Sequence, residues 1–439
     1  MSALGYDNML CVVYLVAWIA TLVWYQCRRN TIDAGTAIIS LQVVYGVFSI
    51  ISLNDPLFSE AYDDLRLFPF IYLFVMMLIA LSPVIYNHLH PSDSIAEPKT
   101  RVLGIIAIVL CITALLQIPD MMSDSGNGIV KIITDNDAGK EAYTEQVENV
   151  SERGSAIHNL PAVIFNMLAD FAPFLLFYYL TLKRKHWILL TSLAIAVIIG
   201  LMLPVSRGQR GGVITTMLAL LGAYFLYRRY LSRKINLLIQ SAIVAIVLLV
   251  SIPVTIITIS RFEKESAGVG GFVSWYVGQG NLYFNNHGLD AGGIRYGDRT
   301  MNLLKRAIDP STPKNFAERR DKYSNLELDD SFFSTFVGDF TIDYGPVAAF
   351  VIFVVFNLLV IRAIRPRDKN LSLQQLLLIY IVICINIKGG MTLFPYSDTN
   401  NLQLITFAML YVYLNYHDIL LERFPLKTST NEKGNTENT

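Results

Sequence analysis

The sequence predicts an all-α polytopic membrane protein with about 11 transmembrane helices and two long extracytoplasmic loops. Three observations carry this. Apolar runs close to the length that crosses a hydrocarbon core of ~30 Å recur along the chain. Of its 439 residues 53% are hydrophobic and only 16% charged, where a soluble domain is roughly a quarter charged. Lys and Arg crowd into alternate connections between the runs.

The spans run Asn8–Gln26, Thr36–Leu53, Leu65–Tyr86, Val102–Ile118, Pro161–Leu182, Trp187–Leu203, Gly212–Arg228, Ile235–Ile259, Phe336–Ile361, Leu373–Ile387 and Leu402–Tyr416. The first is read as a retained span. It lacks a signal peptide's basic leader, and its nearest charges, Arg28 and Arg29, follow it. One set of connections, with the tail, holds Arg28, Arg29, Lys183 to Lys185, Arg228, Arg229, Arg365 and further cations, eighteen in all. The short connections of the other set hold only Arg66, Arg207, Arg210 and Lys388. By the positive-inside rule the first set is cytoplasmic, so the N-terminus lies outside and the C-terminus inside. Residues 1–426 then form a single transmembrane domain, and 427–439 a polar, disordered cytoplasmic tail.

Two polar segments face outside. Residues 119–160 are acidic, with Asp135, Asp137, Glu141, Glu145, Glu148 and Glu152 in their middle, and read as a solvated helix or cover. Residues 260–335 balance their charges and contain "GVGGFVSWYVGQGNLYFNNH". Aromatics beside amides and glycines suit stacking on sugar rings, with Trp275, Tyr276 and Tyr283 as contacts; interfacial anchoring is the alternative. Neutral net charge speaks against nucleic acid as a partner. Cys11, Cys27, Cys111 and Cys384 lie in or beside apolar runs without metal-ligand spacing, so neither disulfides nor zinc are indicated.

The stretch "LPVSRGQRGGVITT" places Arg207 and Arg210 in a short outer connection where cations are otherwise scarce. Two guanidiniums beside a helix N-terminus make a site for phosphate or pyrophosphate. Arginines snorkelling to lipid headgroups are the other reading. The stretch lacks G-K-[ST] after the glycines and is no Walker A loop. Arg261 in "TIITISRFEKES" and Lys388 in "INIKGGMTLFPYSD" also stand at outer span ends. Candidate bases are Asp339 and Asp343 of "TFVGDFTIDYGPVAAF", which share a helix face at i and i+4, and Glu263. Pairing of the two aspartates with Arg207, Arg210 or Arg261 is the alternative. His287 and His158 rank below these acids, a lone loop histidine being more often a surface residue.

The pattern resembles the Wzy-type oligosaccharide repeat-unit polymerases of O-antigen and capsule. "SRGQRGG" opening a span, "ISRFEKE" before a large outer loop, "SWYVGQGNLYFNN" within it and "TFVGDFTIDYGPVAAF" after it carry the resemblance. It implies a GT-C-like glycosyltransferase at the outer face of the bacterial inner membrane, acting without a metal or nucleotide sugar. Its substrates would be undecaprenyl-pyrophosphate-linked oligosaccharides, met among membrane lipids and beside a chain-length regulator. An acceptor sugar hydroxyl attacks the anomeric carbon of another chain and undecaprenyl pyrophosphate leaves. Arg207, Arg210, Arg261 and Lys388 would stabilise the leaving group. The histidine expected of the related O-antigen ligases has no obvious match. A lipid-linked oligosaccharide flippase remains the main rival.

Overall fold

In the computed structural model, residues 3–98, 100–119, 121, 160–207, 209–262, 268–314, 316–329, 332–366, 370–391 and 399–423 are described. The chain is helical apart from two strands of three residues each among these. The helices are α1 (Ala3–Arg28), α2 (Ala34–Leu53), α3 (Leu67–Leu89), α4 (Val102–Leu115), α5 (Leu160–Leu168) and α6 (Phe171–Thr181). They continue as α7 (Trp187–Ser206), α8 (Arg210–Tyr227), α9 (Arg233–Phe262), α10 (Gly268–His287), α11 (Asn302–Arg306) and α12 (Phe316–Lys322). The last four are α13 (Thr335–Tyr344), α14 (Pro346–Ala363), α15 (Leu373–Lys388) and α16 (Thr399–Arg423). Strands β1 (Ser94–Ala96) and β2 (Asn370–Ser372) pair in parallel, Ser94 opposite Asn370. They tie the chain after α3 to the start of α15.

A helix covers every apolar run of the sequence, yet not every helix has the character of a span. Among the described residues six helices are long and apolar enough to cross a membrane, or seven if the bent pair α5–α6 counts as one. By length and composition the chain is therefore a membrane protein. Two further runs, α4 and α15, are apolar but shorter. The expected span Phe336–Ile361 is divided: α13 ends at Tyr344, Gly345 turns the chain at φ 81°, and Pro346 opens α14. Proline fits there because the first N–H of a helix has no intrahelical partner. The aspartates of α13 thus belong to a separate short helix outside the long apolar one.

The short α15 is the core of the bundle. It packs against α2, α3, α8, α14 and α16, and Leu373, Leu376, Leu377, Ile379 and Tyr380 are wholly buried. Its apolar residues therefore surround the helix instead of forming one stripe, as expected for a helix covered on every side. Ser372 caps it: the Ser372 hydroxyl accepts the Gln375 N–H while the Gln375 side chain accepts the Ser372 N–H. Asp33 and Thr36 form the same reciprocal cap at α2. At the periphery, α9 and α14 leave Leu237, Leu238, Leu248, Leu358 and Leu359 exposed.

Both ends of the bundle are tied by polar contacts. At the end where α1 begins, the Asp7 carboxylate accepts the Leu65 N–H at 3.1 Å. There too the Asn285 amide brackets the backbone of Arg66, its oxygen accepting the N–H and its nitrogen donating to the carbonyl, both at 2.8 Å. At the opposite end Asp33 accepts the Tyr25 hydroxyl at 2.9 Å and meets His88 Nδ1 at 2.6 Å.

Within the 260–335 segment α10 lies directly on α2. A Cβ at Gly278 would sit 2.3 Å from the Phe48 carbonyl oxygen, so only glycine lets these backbones meet. Ser49 donates to the Gly278 carbonyl at 2.8 Å, and Asn281 donates to the Ser49 hydroxyl at 3.1 Å. The acidic segment 119–160 and the tail 427–439 lie almost wholly or wholly outside the described residues.

Candidate functional site

Three pieces of chain converge at α13. Its first turn is joined to the end of α15, where the Phe336 N–H donates to the Gly389 carbonyl at 2.9 Å, one residue beyond Lys388. A turn at residues 295–300 packs along it: the Arg295 N–H donates to the Ile342 carbonyl at 3.1 Å. The start of α16 reaches the same turn, Asn401 donating to the Thr300 carbonyl at 3.0 Å.

This arrangement sets two arginines against two aspartates. Arg299 Nε lies 2.7 Å from Asp339 Oδ1, and Arg295 Nε lies 3.2 Å from Asp343 Oδ1. The pairing is crossed, the earlier arginine meeting the later aspartate. Both carboxylates are fully buried and both arginines nearly so. An unpaired charge in such a place would cost several kcal/mol, on the order of 3–5, so each partner requires the other.

The two carboxylates differ. Asp343 also accepts the backbone N–H groups of Thr300 at 2.7 Å and Arg299 at 3.2 Å. It anchors the turn as well as neutralising Arg295. Asp339 faces the guanidinium of Arg299, a group whose planar fork also suits phosphate oxygens.

Asp298, on the same turn, is wholly buried and gripped from behind. Lys305 bonds one carboxylate oxygen, and Lys322 approaches the other at 2.7 Å. The Tyr323 hydroxyl stands 2.7 Å from that second oxygen and 2.9 Å from the Arg295 carbonyl. Burial works against the charge on Asp298. The bonds from Lys305, Lys322 and Tyr323 outweigh it and hold the carboxyl below the usual range.

A second ion pair, less completely buried, joins the end of α15 to the α5–α6 break. Lys388 Nζ meets Asp170 Oδ2 at 2.6 Å, each side chain 13% exposed. Asp170 sits at the break where α5 and α6 bend by 53°. The Tyr380 hydroxyl donates to the Asp170 carbonyl at 2.9 Å, which satisfies backbone freed by that break.

Of the residues singled out from sequence, Asp339 and Asp343 come together with arginines, but with Arg295 and Arg299. Arg207 caps the end of α7 and Arg210 opens α8. The side chains of Arg210 and Arg261 lie outside the described residues, as do Glu263 and His158. Lys388 stands at the end of α15, turned to Asp170.

The three aromatics lie on α10 and are packed by other rings. Trp275 stacks on Phe58 at 5.3 Å, Tyr276 meets Phe333 edge-on at 4.8 Å and Tyr283 stacks on Phe332 at 5.0 Å. The Tyr283 hydroxyl also accepts the Asp329 N–H at 2.6 Å.

Sequence reasoning passed over Arg295, Asp298, Arg299 and Asp170. The signal for the arginines was present: Arg295 and Arg299 repeat at the four-residue spacing of Asp339 and Asp343, with opposite sign. Among the described residues no cluster of His, Cys, Asp and Glu is suited to hold a metal. Comparison with protein-family models, with curated proteins and with solved structures finds no match for this chain.

Proposed function

We propose that the protein is a membrane glycosyltransferase that joins polyprenyl-pyrophosphate-linked oligosaccharide repeats at the outer face of a bacterial inner membrane. In this reading the bundle has eleven spans in a GT-C-like arrangement, and the end carrying α10 and α13 faces outside. The observation that supports it best is the crossed pairing of Arg295 and Arg299 with Asp343 and Asp339.

Such a pair suits exchange of one anion for another. An incoming pyrophosphate takes the Arg299 fork from Asp339, and the released carboxylate becomes a base. The acceptor hydroxyl then attacks the anomeric carbon and its proton passes to Asp339. The bond to pyrophosphate breaks with its electron pair on the leaving oxygen, held by Arg299 together with Arg207 and Arg210. Asp343, fixed by three donors, keeps the turn in place.

The deciding experiment is the surface glycan profile of a strain lacking this gene, and of Arg207→Ala and Arg210→Ala strains. Single-repeat species in place of long chains support the polymerase. Unaltered chain-length ladders remove it.

One observation favours a second reading, a transporter of lipid-linked oligosaccharides. The broken span α5–α6 with its interior Asp170–Lys388 pair is the kind of interruption that marks transport sites. In that case the deletion strain displays no glycan at its surface, and repeats collect on the cytoplasmic side.

A further inference from the structure

A cavity of about 160 Å³ opens where the end of α10, the loop after it and the α13–α14 junction meet. It stands apart from the arginine–aspartate pairs in the residues that line it. The end of α10 gives His287, the loop gives Leu289, Asp290 and Ile294, and the junction gives Thr341 and Pro346. The volume is about half that of the smallest ordinary ligand pocket, ~300 Å³, so it takes one ring and not a chain.

The lining specifies the chemistry of that ring. No lysine or arginine is among the described residues lining it, while Asp63 and Glu327 add negative field at His287. An anionic group is therefore disfavoured. Burial lowers the affinity of His287 for a proton in spite of the carboxylates Asp63 and Glu327, so the imidazole offers an acceptor nitrogen at neutral pH. Its ring is held against Tyr283, centroids 4.7 Å apart. Asp290 is exposed and spends one oxygen on the Gly292 N–H at 3.2 Å, leaving its other oxygen to accept. Leu289, Ile294 and Pro346 supply apolar surface beside these acceptors. Two hydroxyl acceptors next to an apolar wall match a pyranose, which carries hydroxyls on its rim and C–H groups on its face.

Position adds to this. Pro346 begins α14, an apolar span whose next residue, Val347, is 78% exposed. The cavity thus borders the start of an exposed apolar helix, which in the membrane reading sets it beside lipid.

We propose that this cavity is a subsite for one neutral sugar ring, its hydroxyls donating to His287 and Asp290 and its C–H face resting on Leu289, Ile294 and Pro346. It rests on the polymerase reading for its role, which is to seat a ring of the acceptor chain. The binding itself is testable without that role.

The test uses the full chain in phosphatidylcholine nanodiscs at neutral pH. The probes are methyl glycosides of glucose, galactose, mannose, rhamnose and N-acetylglucosamine, observed by saturation-transfer NMR. At least one glycoside binds the wild type through its ring protons. His287→Phe keeps the ring contact with Tyr283 without the ring nitrogens, and Asp290→Asn keeps the shape without the charge. His287→Phe weakens binding about tenfold, the loss of one hydrogen bond, and Asp290→Asn roughly threefold to fivefold, since a neutral amide replaces a charged acceptor at an exposed position. Asp290 is exposed, so its variant reports even where His287→Phe does not fold. Absence of binding by every glycoside, or affinity unchanged in either folded variant, overturns the subsite. A wild type that binds glycosides while its deletion leaves chain length unaltered removes the polymerase and keeps the subsite. Shortened chains on deletion with no glycoside binding remove the subsite alone.

Discussion

Lys388 and Asp170 meet at 2.6 Å inside the helix bundle, at the point where α5 breaks from α6. Neither charge has ready access to solvent, so each is tolerated because of the other. Lys388→Met leaves the Asp170 carboxylate buried alone and is expected to destabilise the protein by about 3–5 kcal/mol. Asp170→Leu does the same to the ammonium. The double variant recovers most of the loss, because two apolar groups replace two charges that need each other. Thermal unfolding in detergent, read for the two single variants and the double, measures the coupling. Additive losses would show that the pair is not a unit.

The turn at 295–300 should loosen in acid. Asp298 has a folded pKa below its unfolded value, so the native state binds fewer protons than the unfolded state as pH falls. Its contribution is complete above the ordinary carboxyl value of 3.8 and is lost as pH drops through the lower folded value. Asp298→Asn removes that dependence and costs about 2–3 kcal/mol at neutral pH, since charge-assisted bonds to two lysines are weakened. Amide protection factors across residues 288–329, with intrinsic exchange divided out and followed from pH ~6 to pH ~2, check the direction. Protection that falls at low pH in the wild type and stays more nearly level in the variant is the expected result.

Much of the helical framework was legible because apolar periodicity and length are local signals. The long apolar runs can be read in this way, whereas the break at Gly345 and Pro346, an equally local signal, was passed over and the span drawn through it. The interior was less legible, because burial on every side of α15 depends on which helices surround it. Length and apolarity give six or seven spans against the eleven expected: α4 and α15 are short, α5–α6 is bent, and α9 and α16 are not among the helices that qualify over the described residues. At the site, the four-residue spacing of Asp339 and Asp343 exposed a shared face. Their partners lie some forty to fifty residues earlier in a glycine-bordered turn; the matching four-residue spacing of opposite sign was there, but nothing local joins the two segments. Lys388 was noticed as a cation, but Asp170 passed unseen because a lone acid within an apolar run gives no hint of its partner.

The contact between α10 and α2 gives a sharp steric prediction. Gly278→Ala puts a Cβ against backbone atoms of Phe48 and Ser49, which cannot turn aside as a side chain would. The helices must separate, with loss of the Ser49 bond to the Gly278 carbonyl, at a cost of about 3 kcal/mol. Gly270→Ala, on the same helix, meets nothing within 4 Å. It should instead stabilise by roughly 0.5–1 kcal/mol through helix propensity. Melting temperatures shifting in opposite directions confirm the packing, and a fall of equal size in both variants contradicts it.

Arg299 and Asp339 allow a structural role to be separated from a chemical one. Removing either partner alone leaves a buried charge, so loss of activity in Arg299→Ala or Asp339→Asn would not distinguish chemistry from misfolding. Replacing both, as Arg299→Met with Asp339→Leu, takes out the charges while keeping much of the packed volume. Such replacements of buried pairs are often neutral or stabilising by about 1–4 kcal/mol, so the double variant should fold at least as well as either single. If the pair only holds the turn in place, the double variant also restores long glycan chains. If Arg299 receives the pyrophosphate and Asp339 the hydroxyl proton, folding returns while chain length stays at single repeats. Melting temperature and glycan ladder, read from the same strains, therefore part the two accounts. The anion-exchange mechanism requires the second outcome.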